Sequence, residues 1–258
     1  MPPLITPSNI HMKKICIAVI LCCALFCQCS KDAASGNFAT PTGTGGSLAR
    51  FTILGSYLYT VDSKQLKAYD ISSPGDPILK NTADVGFNIE TIFPFQDKLF
   101  IGSSSAVYIY SVADPAKPQR LSEAISPQVL RRCDPVVARD TVAYATLRTN
   151  GPCGGTQSTL ACYDIKDITK PLLKGVVLIN EPYGLGYSGN VLYVCDRSGL
   201  LVFDISSAYQ PKLLKSLTGI SYVDVIPYGN VLICWVSTGM ILYDISDNKN
   251  PVQLSKIN

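Results

Sequence analysis

Acidic side chains are the residues of this 258-residue chain that could most directly perform catalysis. The one histidine, His11, stands near the amino terminus, which excludes a Ser-His-Asp triad and a histidine-based metal site in the remainder. Asp134 and Asp224, with Glu90 and Glu181 at similar places in the pattern described below, could hydrolyse a glycosidic bond if two carboxyl groups converged to about 5–10 Å. No glycine-rich phosphate loop is present, so we expect no cofactor and no metal ion.

These candidates belong to a chain that repeats one phrase five times. In each copy an aromatic residue is followed eight positions later by a proline. The pairs are Tyr69 and Pro77, Tyr110 and Pro118, Tyr163 and Pro171, Phe203 and Pro211, and Tyr243 and Pro251. A constant offset over units of about 40 residues indicates a repeat architecture rather than a local turn preference.

A turn-like pair precedes every aromatic. The pairs are Gly55-Ser56, Gln96-Asp97, Arg139-Asp140, Gly189-Asn190 and Gly229-Asn230. The second residue of the pair lies 13 positions before the aromatic in four units and 23 before it in the third. The difference predicts a ten-residue insertion in the third unit, at residues 149–158, where Gly, Ser and Thr dominate.

Each unit contains four short apolar runs rich in β-branched and aromatic residues, separated by turn residues. Four strands in about 40 residues are typical of a propeller blade, because one such sheet must bury both faces against its neighbours. We therefore predict an all-β fold, a β-propeller of five four-stranded antiparallel blades over residues 47–258. A β-solenoid is the alternative, although its repeats are shorter.

The channel-facing positions follow from the repeat. Counting back six residues from the second turn residue gives one position per blade: Arg50, Thr91, Asp134, Gly184 and Asp224. We predict a ligand-facing rim from Arg131, Arg132, Asp134 and Asp224 beside the insertion, since binding residues commonly lie on loops of a rigid scaffold. A tolerated surface insertion without a role is the alternative.

Two cysteines belong to the same region. Cys133 lies near the start of an inner strand, and Cys153 lies in the insertion between the second and third strands of that blade. These loops share one face of a propeller, so we predict a Cys133–Cys153 disulfide in an oxidising compartment. Three others, Cys162, Cys195 and Cys234, stand within apolar runs and are predicted to be buried.

The amino-terminal segment predicts export. Residues 1–11 precede Met12, which is a better start for a signal peptide, and are interpreted as an upstream extension that is not native. Residues 12–28 combine two lysines with an apolar run, as a lipoprotein signal peptide does, and Cys29 is the predicted lipidation site. Residues 29–46 are small and polar and are predicted to form a flexible tether. An ordinary cleaved signal with a secreted product is the alternative.

The stretch "VLYVCDRSGLLVFDISSAYQPKLL" (residues 191–214) resembles the LVIVD repeat of bacterial and archaeal surface-associated propellers. The sequence "CSKD" from Cys29 resembles lipoproteins of the Bacteroidetes, in which an acidic stretch behind the cysteine can direct surface exposure. Together the resemblances imply an envelope lipoprotein, anchored in the outer membrane and exposed at the surface. The repeat family implies no active-site residues.

The charge of the chain limits its partners. The net charge is +3, of which Lys13 and Lys14 belong to the signal, so no nucleic-acid partner is expected. We predict a non-catalytic platform that binds an envelope protein or a glycan and meets the membrane only through its lipid. The alternatives are an envelope glycoside hydrolase that uses the channel carboxylates, and a structural subunit with a broad apolar patch.

Overall fold

The computed structural model describes residues 45–104, 106–125, 132–149 and 157–258, with Ile125 and residues 132–134 described by their backbone alone. These residues form twenty β-strands and no α-helix. No helix among them could therefore cross a membrane. The strands assemble into five separate four-stranded sheets, each of which is one unit of the repeat.

The sheets are consecutive in the chain. Blade one contains β1 (Phe51–Leu54), β2 (Tyr57–Val61), β3 (Gln65–Asp70) and β4 (Ile78–Asp84). Blade two contains β5 (Ile89–Phe95), β6 (Lys98–Ser103), β7 (Ala106–Ser111) and β8 (Gln119–Ile125). Blade three contains β9 (Arg132–Arg139), β10 (Val142–Arg148), β11 (Ser158–Asp164) and β12 (Leu172–Ile179). Blade four contains β13 (Leu185–Ser188), β14 (Val191–Asp196), β15 (Gly199–Asp204) and β16 (Lys212–Thr218). Blade five contains β17 (Tyr222–Tyr228), β18 (Val231–Val236), β19 (Gly239–Asp244) and β20 (Val252–Ile257).

Within every blade the four strands pair antiparallel in chain order, as the repeat predicts. The repeated prolines each stand immediately before the fourth strand, where a missing N–H removes no ladder bond. The repeated aspartates form turns: Asp70, Asp164, Asp204 and Asp244 each accept a hydrogen bond from the backbone N–H two residues later. The predicted fold of five four-stranded antiparallel blades is therefore confirmed.

The turn of blade three lies one residue later than predicted. The first residue of the turn has positive φ in every blade, and in blade three this residue is Asp140 (φ 52°). Ile165 N donates to Thr141 O, as Ile205 N donates to Asn190 O in blade four. The turn is thus Asp140-Thr141, which Asp permits because it tolerates the left-handed region. Thr141 lies 22 residues before Tyr163 instead of 13, so the insertion has nine residues rather than ten.

Apolar side chains fill the junctions between neighbouring blades. Separate buried clusters join blades one and two, two and three, three and four, and four and five. The repeated aromatic is buried in blades two to five, and Cys162, Cys195 and Cys234 are buried as predicted. Burial raises the pKa of the Cys162 and Cys234 thiols to about 12, so both remain neutral.

A tyrosine on the second strand joins three of these junctions by a hydrogen bond. The hydroxyl of Tyr59 donates to Pro115 O at 3.0 Å, that of Tyr144 to Ala208 O at 2.9 Å, and that of Tyr193 to Asn248 O at 2.6 Å. Each acceptor lies in the loop before the last strand of the following blade. Blade five has Ile233 at the equivalent position and cannot make this bond.

We use "open junction" for the boundary between blades five and one. The described residues form no buried apolar cluster there, unlike the four other boundaries. Tyr69, the repeated aromatic of blade one, is accordingly only half-buried. The two blades are connected instead by residues 46–48, which precede blade one and contact Asp224 of blade five.

Candidate functional site

A cavity of about 400 Å³ occupies the centre of the propeller. The first strands of blades two to five, β5, β9, β13 and β17, line its wall, and Gly45 and Ser47 contribute to it from the segment before blade one. Its lining residues are Gly45, Ser47, Phe93, Pro94, Phe95, Gln96, Val137, Leu185, Gly186, Tyr187, Val225, Ile226 and Pro227. None of these side chains is charged, so the cavity provides an apolar and partly aromatic surface.

The repeat explains why these residues converge. Four residues before the second turn residue, blades two to five contain Phe93, Val137, Gly186 and Ile226, all of which line the cavity. Alternate residues of a strand point to the same face, so the positions two residues earlier face the axis one level deeper. At this deeper level stand Thr91, Pro135, Gly184 and Asp224. Pro135 takes the place predicted for Asp134 because the turn of blade three is shifted by one residue.

Asp224 is enclosed at this deeper level, where only 8% of its surface is exposed. Its carboxylate accepts hydrogen bonds from Ser47 Oγ at 3.1 Å and from Leu48 N at 3.2 Å. Ser47 Oγ in turn accepts a bond from Leu185 N at 2.7 Å. The segment before blade one is thus bonded to blades four and five across the propeller axis.

Two glycines make room for this carboxylate. A Cβ atom added to Gly46 would lie 2.2 Å from one Asp224 oxygen, and one added to Gly184 would lie 2.0 Å from the other. A larger residue at either position would displace Asp224. Gly45 and Gly46, the last two residues of the predicted tether, thus lie against the propeller, Gly45 at the cavity and Gly46 beside Asp224.

Burial raises the pKa of Asp224 to about 6, although the hydrogen bonds from Leu48, Val225 and Ser47 oppose the shift. A carboxyl group with such a pKa could serve as a general acid. Asp196, the other buried carboxylate among the described residues, accepts hydrogen bonds from Asn180 N and Ser198 N. Of the predicted partners, Glu181 pairs with Arg197 at 2.8 Å, Glu90 lies at an irregularity of β5 between Ile89 and Thr91, and Asp134 is described by its backbone alone.

The remaining predicted rim residues are described only in part. Arg132, Cys133 and Asp134 belong to the start of β9, where the backbone alone is described. Arg131 and Cys153 lie outside the described residues, so the rim and the Cys133–Cys153 disulfide stay predictions. At the base of the insertion, Thr149 N donates to Ser158 Oγ at 3.1 Å. No group of three or more potential ligands for a metal ion occurs in the described part of the chain.

Sequence reasoning identified Asp224 but not the cavity above it. A partial signal for the cavity was present: apolar residues stand at the same place in the first strands of blades two, three and five, with a glycine in blade four. Apolar residues at a repeated strand position are equally typical of a packed blade interior, so by themselves they do not indicate a cavity. The contact between Asp224 and Ser47 has no local signal, since the two are 177 positions apart in the sequence.

The LVIVD repeat family matches residues 45–85 and 185–218, which include all four strands of blades one and four. The chain carries LVIVD repeats. The propeller shares its fold with solved structures of low sequence identity. A protein from Lactobacillus plantarum is 17% identical with a TM-score of 0.63, over 80% of this chain and 73% of its own.

Two further structures are similar in fold. The periplasmic gluconolactonase PpgL of Pseudomonas aeruginosa is 13% identical with a TM-score of 0.61, over 79% of this chain and 67% of its own. The computationally designed protein Ika8 is 12% identical with a TM-score of 0.58, over 80% of this chain and 60% of its own. The chain thus spans less than two thirds of the designed protein. No curated protein is significantly similar to it in sequence.

Proposed function

We propose that this LVIVD propeller is a binding module of the bacterial cell envelope that holds its partner at the central cavity. The observation that carries the proposal is the convergence of equivalent residues from blades two to five on one cavity of about 400 Å³. This volume lies within the range of small-molecule sites, which are largely apolar and preformed. A propeller provides such a site at its axis, where all first strands meet.

The lining defines the chemistry of the partner. Phe93, Phe95 and Tyr187 provide aromatic surface, and the lining contains no charge to compensate an ionised ligand. The partner should therefore present an uncharged group with an apolar face. An apolar side chain of an envelope protein and the apolar face of a sugar ring both meet this requirement.

Binding is favoured over glycoside hydrolysis by the state of Asp224. Both of its oxygens accept hydrogen bonds from the segment before blade one, and Gly46 and Gly184 pack against them. A catalytic acid must reach the substrate to transfer a proton. The enclosed Asp224 serves the assembly of the propeller, and the cavity above it serves the ligand.

A charge placed in the cavity tests this proposal. Ile226 is half-buried on the cavity wall and belongs to none of the buried clusters that join the blades, so Ile226→Arg should exclude an apolar group and leave those clusters intact. The matched control is Leu254→Arg, which places the same charge on the exposed outer strand of the same blade. The wild-type protein and both variants would be used to capture partners from envelope extracts, with proteins identified by mass spectrometry and glycans by sugar analysis.

Loss of the captured partner by Ile226→Arg and its retention by Leu254→Arg would support the cavity as the binding site. Equal recovery by all three folded proteins would contradict it. Titration with the uncharged dye Nile red gives a second measurement, in which the affinity of Ile226→Arg should fall at least about tenfold while that of the control is unchanged.

We further propose that a lipid on Cys29 anchors the protein in the outer membrane, with the propeller exposed at the surface. The apolar segment 12–28 followed by "CSKD" supports this proposal. Cys29→Ala should release the protein from the membrane fraction and abolish labelling by a radioactive fatty acid. Unchanged labelling of the variant would refute the assignment, and protease treatment of intact cells would test exposure of the wild-type protein.

A further inference from the structure

Blade five ends in an apolar surface that no other blade covers. Trp235, Met240 and Ile257 are directly paired across β18, β19 and β20 and form one row on one side of the sheet. Their exposed fractions are 53%, 47% and 54%. Ile233 and Leu242, paired in the next row, are half-buried. We call these five residues the blade-five face.

The equivalent surface of blade four is covered by the next blade. Its corresponding row is Cys195, Leu200 and Leu217, paired in the same way across β14, β15 and β16. Cys195 and Leu200 are fully buried, and Leu217 packs against the same cluster, because blade five covers them. The blade-five face has the same apolar character but larger side chains. Large exposed apolar patches of this kind commonly mark interaction sites.

Blade one presents a mixed side toward this face. On the side where blades two to five have buried apolar residues, blade one has the half-buried pair Leu58 and Tyr69 but, in the next row, Thr60 and Lys67. The Lys67 ammonium lies 3.3 Å from the carboxylate of Asp62 and is partly exposed. Packing this side against the blade-five face would bury a charge against Trp and Met, which is unfavourable.

We propose that the blade-five face is a homodimer interface that packs against the blade-five face of a second copy. Its five side chains are all uncharged and apolar, so the surface is complementary to itself, as a two-fold interface requires. The second candidate surface of the chain, the mixed side of blade one, would bring Lys67 into the contact. Five residues make a smaller interface than the standard of about 800 Å² per partner, so the dimer should dissociate on dilution.

The single tryptophan of the chain makes this proposal directly measurable, because all tryptophan fluorescence comes from Trp235. The purified full chain would be studied by sedimentation velocity and by tryptophan emission across a range of protein concentrations. We expect the sedimentation coefficient to rise from monomer to dimer with concentration. Over the same range the emission maximum should shift to shorter wavelength and quenching by acrylamide should decrease.

Met240→Glu tests the interface while retaining the reporter. Met240 lies beside Trp235 on the neighbouring strand, so the variant brings two carboxylates into the two-fold contact. We expect its dimer dissociation constant to rise about thirtyfold or more, as for the loss of a central contact. Leu178→Glu is the matched control, because Leu178 is as exposed but lies on β12 of blade three. It should dimerise like the wild-type protein.

Two results would overturn the proposal. Trp235 could be shielded from acrylamide at every concentration in a monomeric protein, which would show that another part of the same chain covers the face. The protein could instead stay monomeric with Trp235 accessible throughout, which would show that copies of the chain do not associate through it. Circular dichroism of the variants would establish that both are folded. The cavity variant Ile226→Arg should dimerise normally, so the two proposals fail independently.

Discussion

The junction between blades four and five and the open junction between blades five and one contain the same repeat but different contacts. The first has a buried apolar cluster, the hydrogen bond from Tyr193 to Asn248 O, and an ion pair between Lys249 and Asp204 at 2.8 Å. At the open junction, the described residues of blade five contact residues 46–48 through Asp224 and Ile226 and form no buried cluster with blade one. A repeat sequence is therefore sufficient to form each blade, but two blades pack only where both facing sides are apolar.

The largest difference should appear on shortening equivalent apolar residues. Leu200 is fully buried at the junction of blades four and five, and Met240 is its exposed equivalent in blade five. We expect Leu200→Ala to lower the free energy of unfolding by about 3 kcal/mol, whereas Met240→Ala should change it by less than about 0.5 kcal/mol. Urea denaturation at a concentration where the protein is monomeric measures both. Similar losses would mean that the blade-five face is covered within the monomer.

The next effect concerns Asp224 and depends on pH. Its pKa is raised from 3.8 to about 6 in the folded protein, so the folded state binds the proton more tightly than the unfolded state does. The contribution of Asp224 to stability is therefore fully present below about pH 4. It decreases by on the order of 3 kcal/mol as the pH rises through about 6 and is constant at higher pH.

Asp224→Asn should remove this dependence. The free energy of unfolding of the wild-type protein relative to the variant should be more favourable at pH 4 than at pH 7, as measured by urea denaturation at both values. The turn carboxylates with lowered pKa, such as Asp244, lose their contribution at lower pH and are common to both proteins. A difference that is the same at pH 4 and pH 7 would show that Asp224 is ionised throughout.

A smaller effect is expected from the tyrosine hydrogen bond. Tyr193→Phe removes only the hydroxyl that donates to Asn248 O, and should lower the free energy of unfolding by about 1 kcal/mol. Tyr228→Phe, at an exposed tyrosine of blade five, is the control and should have no effect. Ile233→Tyr should not stabilise the protein, since the open junction does not bring blade one into contact. Stabilisation by this variant would indicate that the junction closes.

The smallest effect should come from the ion pair at the junction of blades four and five. Lys249 and Asp204 are both partly exposed, and exposed pairs contribute little and are screened by salt. Lys249→Ala should lower the melting temperature less than Tyr193→Phe does, and the difference from the wild-type protein should disappear in 1 M salt. Blade one has Gly75 at the position of Lys249 and offers no such pair to blade five. A decrease in melting temperature that salt does not change would mean that Lys249 stabilises the junction through packing of its aliphatic side chain.

The sequence alone was sufficient for the blades, their strand order and their turns. These features depend on residues close together in the chain: the aromatic and the proline eight residues later, the aspartates that accept from the backbone two residues on, and the glycines that accept positive φ. Local preferences also limited the prediction. By residue preference alone, the turn of blade three could be Arg139-Asp140 or Asp140-Thr141. The pairing of Val142 with Arg139 makes Asp140-Thr141 the turn.

The tertiary structure alone determined the site and the open junction. The cavity requires side chains from four blades to meet at one axis, and Asp224 meets Ser47 across a sequence separation of 177 positions. The repeat makes Leu200 and Met240 equivalent, but Leu200 is buried and Met240 is exposed. The physical reason is that burial depends on what the neighbouring blade presents, and for blade five that neighbour presents Lys67 and Thr60 where the others present apolar residues.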